Sequence, residues 1–81
     1  MVYCYRPEVL TALLRHGLRP LASTSPERLR SILHDWYRFE LQRLRAALLR
    51  GEFQKSTYAA RVAEIRTRYA LLSLPSHFWL R

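Results

Sequence analysis

Apolar residues recur at helical spacing in three stretches of the chain. The stretches cover residues 7–16, residues 25–50 and residues 55–72. Spacing of three or four positions places side chains on one side of an α-helix. The chain is also rich in Leu, Ala and Arg and poor in β-branched runs, which favours helix over strand. We therefore predict an all-α fold in which three helices share one core.

Residues that start and stop helices stand at the edges of these stretches. Pro7 and Pro26 suit the first turn of a helix, and the Ser25 side chain can cap the second helix. Gly17 and Gly51 suit the position after a last turn. The second helix runs without a breaker and would be about 38 Å long. We expect this long central helix to be the spine on which the others pack.

Two apolar segments flank the helices. Residues 1–6 favour an extended arm laid over the helices, and residues 73–81 follow Pro75, which ends the third helix. Eighty-one residues are enough for one small domain, so the prediction is a single helical domain, residues 1–81, with an apolar arm at each end.

The C-terminal arm contains the adjacent aromatic residues Phe78 and Trp79. A disordered chain end gains nothing from two such side chains, so we expect the arm to dock. Trp79 either folds back over the groove between the first two helices, near Leu13 and Leu14, or inserts into a partner. Folding back is favoured, because so small a domain has little buried area.

Glu40 falls in the middle of the apolar face of the long helix. A bare carboxylate in such a face would cost several kcal/mol or become protonated. Arg43, one turn along, and Arg66, on the third helix, are predicted partners, and the favoured interpretation is a structural ion pair. A functional carboxylate is the alternative, but no second acid, base or nucleophile is clearly placed beside it.

Basic residues dominate the charge of the chain. Lys and Arg number 14 against 6 Asp and Glu, which gives a formal net charge of +8. One face of the long helix carries a basic stripe that can contact phosphates, namely Arg30, His34, Arg38 and Arg45. An ordinary solvated face explains the same stripe, and genomic composition can explain part of the Arg excess. No base-reading motif accompanies it.

Apolar side chains also occur outside the predicted core face. Leu49 lies on the polar side of the long helix, and Phe39 lies at the edge of its apolar side. Aromatic and Arg residues together are typical of binding hot spots. We predict that Phe39, Leu49, Phe78 and Trp79 contact a partner.

Catalytic, cofactor and metal sites are not predicted. The chain contains no GxSxG, HExxH, CxxC or glycine-rich phosphate motif. Cys4 is the only cysteine, which excludes an intramolecular disulfide, and we interpret it as a small apolar residue. The histidines, at positions 16, 34 and 77, lack the spacing of metal ligands.

These observations favour a small basic protein that acts by binding. It would be an accessory subunit or adaptor that contacts a protein, in a homo- or hetero-oligomer. The alternative is a protein associated with nucleic acid or the ribosome through its Arg-rich face. An enzyme is the least favoured class, and membrane-surface binding ranks behind both binding classes. We expect a cytoplasmic location, since residues 1–9 lack the apolar core of a signal peptide and no stretch is apolar enough to span a bilayer.

Overall fold

The chain folds into three α-helices joined by short connections. In the computed structural model, which describes residues 1–81, the helices are α1 (Pro7–Arg15), α2 (Pro26–Leu49) and α3 (Lys55–Arg68). Two 3₁₀ turns follow α3, the first over Ala70–Ser73 and the second over Ser76–Trp79. There is no β-sheet. The predicted all-α fold with a long central helix is confirmed.

The start and the end of α2 follow from local chemistry. The backbone N–H of Arg28 donates a hydrogen bond to Ser25 Oγ over 3.2 Å, so Ser25 caps the helix as predicted. Pro26 occupies the first turn, where its missing N–H is harmless. Gly51 adopts φ +78° just after the helix, a left-handed conformation that favours glycine and turns the chain towards α3.

The end of α3 differs from the prediction. The helix stops at Arg68 rather than at Leu72, and a 3₁₀ turn continues the chain. Tyr69 and Leu71 are both buried. On a continuous α-helix these two positions would lie about 200° apart and could not both face one core. Leaving the helix at Tyr69 allows both side chains to be buried.

The hydrophobic core lies at one end of the molecule. It combines side chains from every element, including α1, the first part of α2 and the last part of α3. Its buried members are Tyr5, Val9, Leu13, Leu29, Leu33, Ile65, Tyr69, Leu71 and Trp79.

The C-terminal arm completes this core. Trp79 is 0% exposed and lies in the same cluster as Leu13. The arm is also joined to the N-terminal arm through the backbone: Arg6 N–H donates to the Trp79 carbonyl over 2.9 Å, and Arg81 N–H donates to the Cys4 carbonyl over 2.8 Å. The prediction that the tail folds back is therefore confirmed.

Two details of the tail prediction need correction. Leu14 does not join the core; it remains half-exposed, because Val9 and Leu13 take the buried side of α1. The burial of Trp79 also contradicts its predicted role as a partner contact, since its indole ring is enclosed by the chain's own side chains.

The molecule is elongated. A compact chain of this length has a radius of gyration of about 12 Å. Here the value is 15.0 Å, and the extents are 48 × 19 × 17 Å. The protruding part is a pair of antiparallel helical segments, residues 36–64, which we call the distal hairpin. No residue of the distal hairpin is buried.

Candidate functional site

The distal hairpin exposes apolar surface because no third element covers it. At about 1.5 Å per residue, α2 is about 36 Å long, whereas α1 is only about 14 Å long. The helix α1 contributes Val9 and Leu13 to the core, which receives only Leu29 and Leu33 from the face of α2. Half-buried side chains continue along the hairpin. Tyr37, Leu41 and Leu44 pack against the core, and Ala47, Leu48, Phe53, Tyr58 and Val62 are half-buried beyond it.

A groove of about 480 Å³ runs along one side of the distal hairpin and reaches the end of α3; we call it the hairpin groove. One wall comes from α2, the other from α3, and the connection between these helices closes one end. The residues that line it are Glu40, Arg43, Leu44, Ala47, Arg50, Glu52, Phe53, Arg61, Glu64, Ile65 and Arg68. Seven charged and four apolar side chains therefore line an open surface.

Glu40 pairs across the two helices, but with a residue that the sequence analysis did not name. Its Oε1 lies 3.0 Å from Nη2 of Arg68 on α3. Neither Arg43 nor Arg66 forms an ion pair, so both predicted partners are wrong. Arg43 instead lies beside the Phe39 ring, and Arg66 lines a separate cleft with Tyr69 and Leu72. The Glu40 side chain is 29% exposed, so its carboxylate is not deeply buried.

Glu40, which lines the hairpin groove, also faces Tyr69, which belongs to the core. Burial first, and then a hydrogen bond with the Glu40 carboxylate, raise the pKa of the Tyr69 hydroxyl to about 12. The Tyr69 ring lies 4.7 Å from the His16 ring and 5.4 Å from the Tyr37 ring, measured between centroids. This setting gives Glu40 a structural role at the boundary of the core.

A second buried tyrosine holds the N-terminal arm. The Tyr5 hydroxyl donates to the Thr24 carbonyl over 2.5 Å. Burial, followed by the nearby negative charge of Glu27, raises the pKa of Tyr5 to about 12. Both hydroxyls are accordingly held in their neutral form, and neither is placed as an acid or base for chemistry near neutral pH.

Two arginines of the hairpin groove have no carboxylate partner. The guanidinium carbon of Arg43 lies 5.9 Å from the centre of the Phe39 ring, and that of Arg61 lies 4.8 Å from the centre of the Phe53 ring. The far end of the groove is occupied by a different pair, Arg50 with Glu52, at 2.6 Å. Arg43 and Arg61 therefore remain open to an acidic ligand.

The structure divides the predicted basic stripe. His34, Arg38 and Arg45 are exposed and form no ion pair. Arg30 does not belong with them. Its Nη2 donates to the Leu72 carbonyl over 2.8 Å, and its Nε donates to the Leu74 carbonyl over 3.4 Å.

The predicted phosphate contact at Arg30 is thus contradicted, because its guanidinium holds the chain after α3. The sequence contains a signal for this role. Arg30 stands seven residues before Tyr37, which places both on the same side of α2, towards α3 and the turn that follows it.

The predicted partner contacts other than Trp79 are accessible. Phe39 is 59% exposed, Leu49 is 78% exposed and Phe78 is 49% exposed. Contact with a partner at these residues stays a prediction. Sequence reasoning missed Phe53 and Arg61, which the hairpin groove brings together. The mismatch in length between the first and second helices was the available signal that part of the hairpin lacks cover.

The structure contains no cluster of metal-ligating side chains. Nowhere do three or more His, Cys, Asp or Glu side chains come close enough to hold a metal ion. Cys4, interpreted from the sequence as a small apolar residue, is a free and exposed thiol. Its backbone carbonyl accepts the hydrogen bond from Arg81 N–H of the C-terminal arm.

Comparisons with known proteins yielded no match: no family model, no curated protein and no solved structure is similar to the chain. None of the helices combines the length and the apolar character needed to cross a membrane. The candidate site is therefore defined by its own geometry.

Proposed function

We propose that the chain is a protein-binding module, an accessory subunit or adaptor, that uses the distal hairpin as its contact surface. The observation that carries this proposal is the absence of any buried residue between Trp36 and Glu64. A helical segment with an apolar side usually gains its stability by packing that side. Here no side chain of the hairpin is fully buried within the chain.

The exposed area supports this proposal. A compact monomer of 9.7 kDa exposes about 5,100 Å². This chain exposes 6036 Å². The excess, about 900 Å², is similar to the area of about 800 Å² that each partner buries in a standard protein interface.

Retention of partners by hairpin variants tests the proposal. The tagged chain is incubated with native lysate, with and without nuclease, and compared with a Phe39→Ser, Leu49→Ser double variant. Both side chains are mostly exposed, so the variant should fold normally. Leu21→Ser, which removes an equally exposed apolar residue outside the hairpin, is the matched control.

We expect nuclease-resistant partners that the double variant loses and the control keeps. Retention that is equal in both variants, or that vanishes with nuclease, would contradict a protein-binding hairpin. The proposal also includes a cytoplasmic location. The free thiol of Cys4 suits a reducing compartment, and cell fractionation checks the location.

Nucleic-acid binding is the second candidate, supported by the free guanidinium groups of Arg38 and Arg45 on the exposed face of α2. If these groups contact phosphates, replacing both by Gln should reduce the salt dependence of RNA or DNA binding by about two units of slope, one per contact. Filter binding over a salt series measures it. A wild-type chain that binds neither RNA nor DNA at low salt would exclude this function.

A further inference from the structure

The hairpin groove lies between two antiparallel helices, α2 and α3. Leu44 and Ala47 of α2 and Phe53 of the connection supply its half-buried apolar surface, and the buried Ile65 of α3 lines it as well. Along α2 the groove extends from Glu40 to Arg50, which is about 15 Å or nearly three helical turns. Grooves between two helices commonly bind the apolar side of a third helix.

Some of the charged side chains around this apolar surface form ion pairs, and others do not. Glu40 and Glu52 are already paired with Arg68 and Arg50, so they are not free for a ligand. Arg43 and Arg61 form no ion pair. Each lies beside a phenylalanine ring, an arrangement that limits the positions of the guanidinium while leaving its N–H groups free.

Glu64 is the only carboxylate of the groove outside an ion pair. The two free guanidinium groups therefore outnumber it, and the unsatisfied charge of the groove is positive. This balance disfavours a second copy of the chain as the occupant. Each copy has a net charge of +8, and packing one groove against another would bring like charges together.

On this basis, and resting on the proposed function, we propose that the hairpin groove binds an amphipathic helix of a partner protein whose apolar ridge is flanked on both sides by carboxylates. Both flanks are required because Arg43 lies on the α2 wall and Arg61 on the α3 wall. Carboxylates at such flanking positions can form paired hydrogen bonds with guanidinium groups.

Selection from a library of displayed single helices, randomised at their surface positions, tests this inference on the intact chain. We expect enriched sequences with apolar residues at helical spacing and Asp or Glu on both sides of them. Enriched sequences are then synthesised as labelled peptides, and their affinity is measured by fluorescence anisotropy. The double variant Arg43→Gln, Arg61→Gln should bind at least about tenfold more weakly, through the loss of two charge pairs.

The matched control is Arg38→Gln with Arg45→Gln, which removes the same charge outside the groove. It should change the affinity by less than about twofold, since exposed charges at a distance are screened by salt. Equal losses in both double variants would reduce the interaction to a general attraction between a basic chain and acidic peptides. That result would overturn the inference, as would enrichment of neutral or basic helices, or of none.

The two proposals can fail separately. If the selection gives no acidic helix while the wild-type chain retains nuclease-resistant partners that the Phe39, Leu49 variant loses, the hairpin binds proteins by another chemistry. In that case the proposed function stands and the inference about the groove falls. Enriched acidic helices that remain bound to the groove variant would also refute the inference.

Discussion

Replacing Trp79 by Ala should remove much of the stability of this chain. Trp79 is 0% exposed, and removing a large aromatic side chain from a core costs about 3–5 kcal/mol. Its indole N–H has no hydrogen-bond partner. A buried N–H without a partner destabilises the fold, and the substitution removes it. We therefore expect Trp79→Ala to lower the free energy of unfolding by a value nearer about 3 than about 5 kcal/mol. A chain of this length has about 4–12 kcal/mol in total. Urea unfolding followed by circular dichroism measures the difference.

Phe78→Ala is the matched control, because it removes an adjacent aromatic side chain that is 49% exposed. We expect it to cost less than about 1 kcal/mol, since half of the ring is already in water. If both substitutions destabilised the fold equally, or if Trp79→Ala left the urea midpoint unchanged, the docking of the tail as described here would be refuted.

Three further predictions concern polar groups. Arg30→Met keeps the aliphatic stem but removes the hydrogen bonds to two carbonyls, and should lower the free energy of unfolding by about 1–2 kcal/mol, measured in urea. Glu40→Gln should cost less than about 1 kcal/mol, because its ion pair with Arg68 is partly exposed; a double-mutant cycle measures the coupling, and a value well above this would show a buried pair. Tyr5 and Tyr69 have pKa values raised from 10.0 to about 12, so their neutral forms stabilise the folded state below pH 10. That stabilisation should be lost as the pH rises from 10 to 12, and the fall in urea midpoint should be shallower in Tyr69→Phe; equal slopes would contradict the shift.

Local signals were enough to predict that three helices form and where α2 begins and ends, but not where α3 ends. Ser25, Pro26 and Gly51 act on their own neighbourhood, so their positions in the sequence locate the ends of α2 without knowledge of the rest of the fold. The docking of the tail was predictable for a different reason. A large apolar side chain such as Trp79 is unfavourable in water at a free chain end. Burying it adds to a core that is small in a chain of this length.

Partners in three dimensions were harder to predict. The sequence shows that Glu40 needs a cation, but several arginines lie within reach, and the choice of Arg68 depends on how α3 rotates against α2. The position of Arg68 three residues after Ile65 puts it beside the apolar line of α3, which is a weak signal among several. The role of Arg30 was hidden because its acceptors are backbone carbonyls, which every residue possesses.

The residues that form the hydrophobic core and the residues of the distal hairpin lie in different parts of the chain. The core needs Leu29 and Leu33 from α2 and Ile65 and Tyr69 from the α3 end, and none of its members lies between residues 36 and 64. A shorter pair of helices joined near the core would supply the same fully buried side chains, with Tyr37, Leu41 and Leu44 as the hairpin residues that pack against them. The extra turns of α2 and α3 therefore add exposed apolar and cationic surface without adding a buried residue. Such surface is a liability for a free monomer in solution, and its cover by a partner is the physical explanation that we propose for the length of these helices.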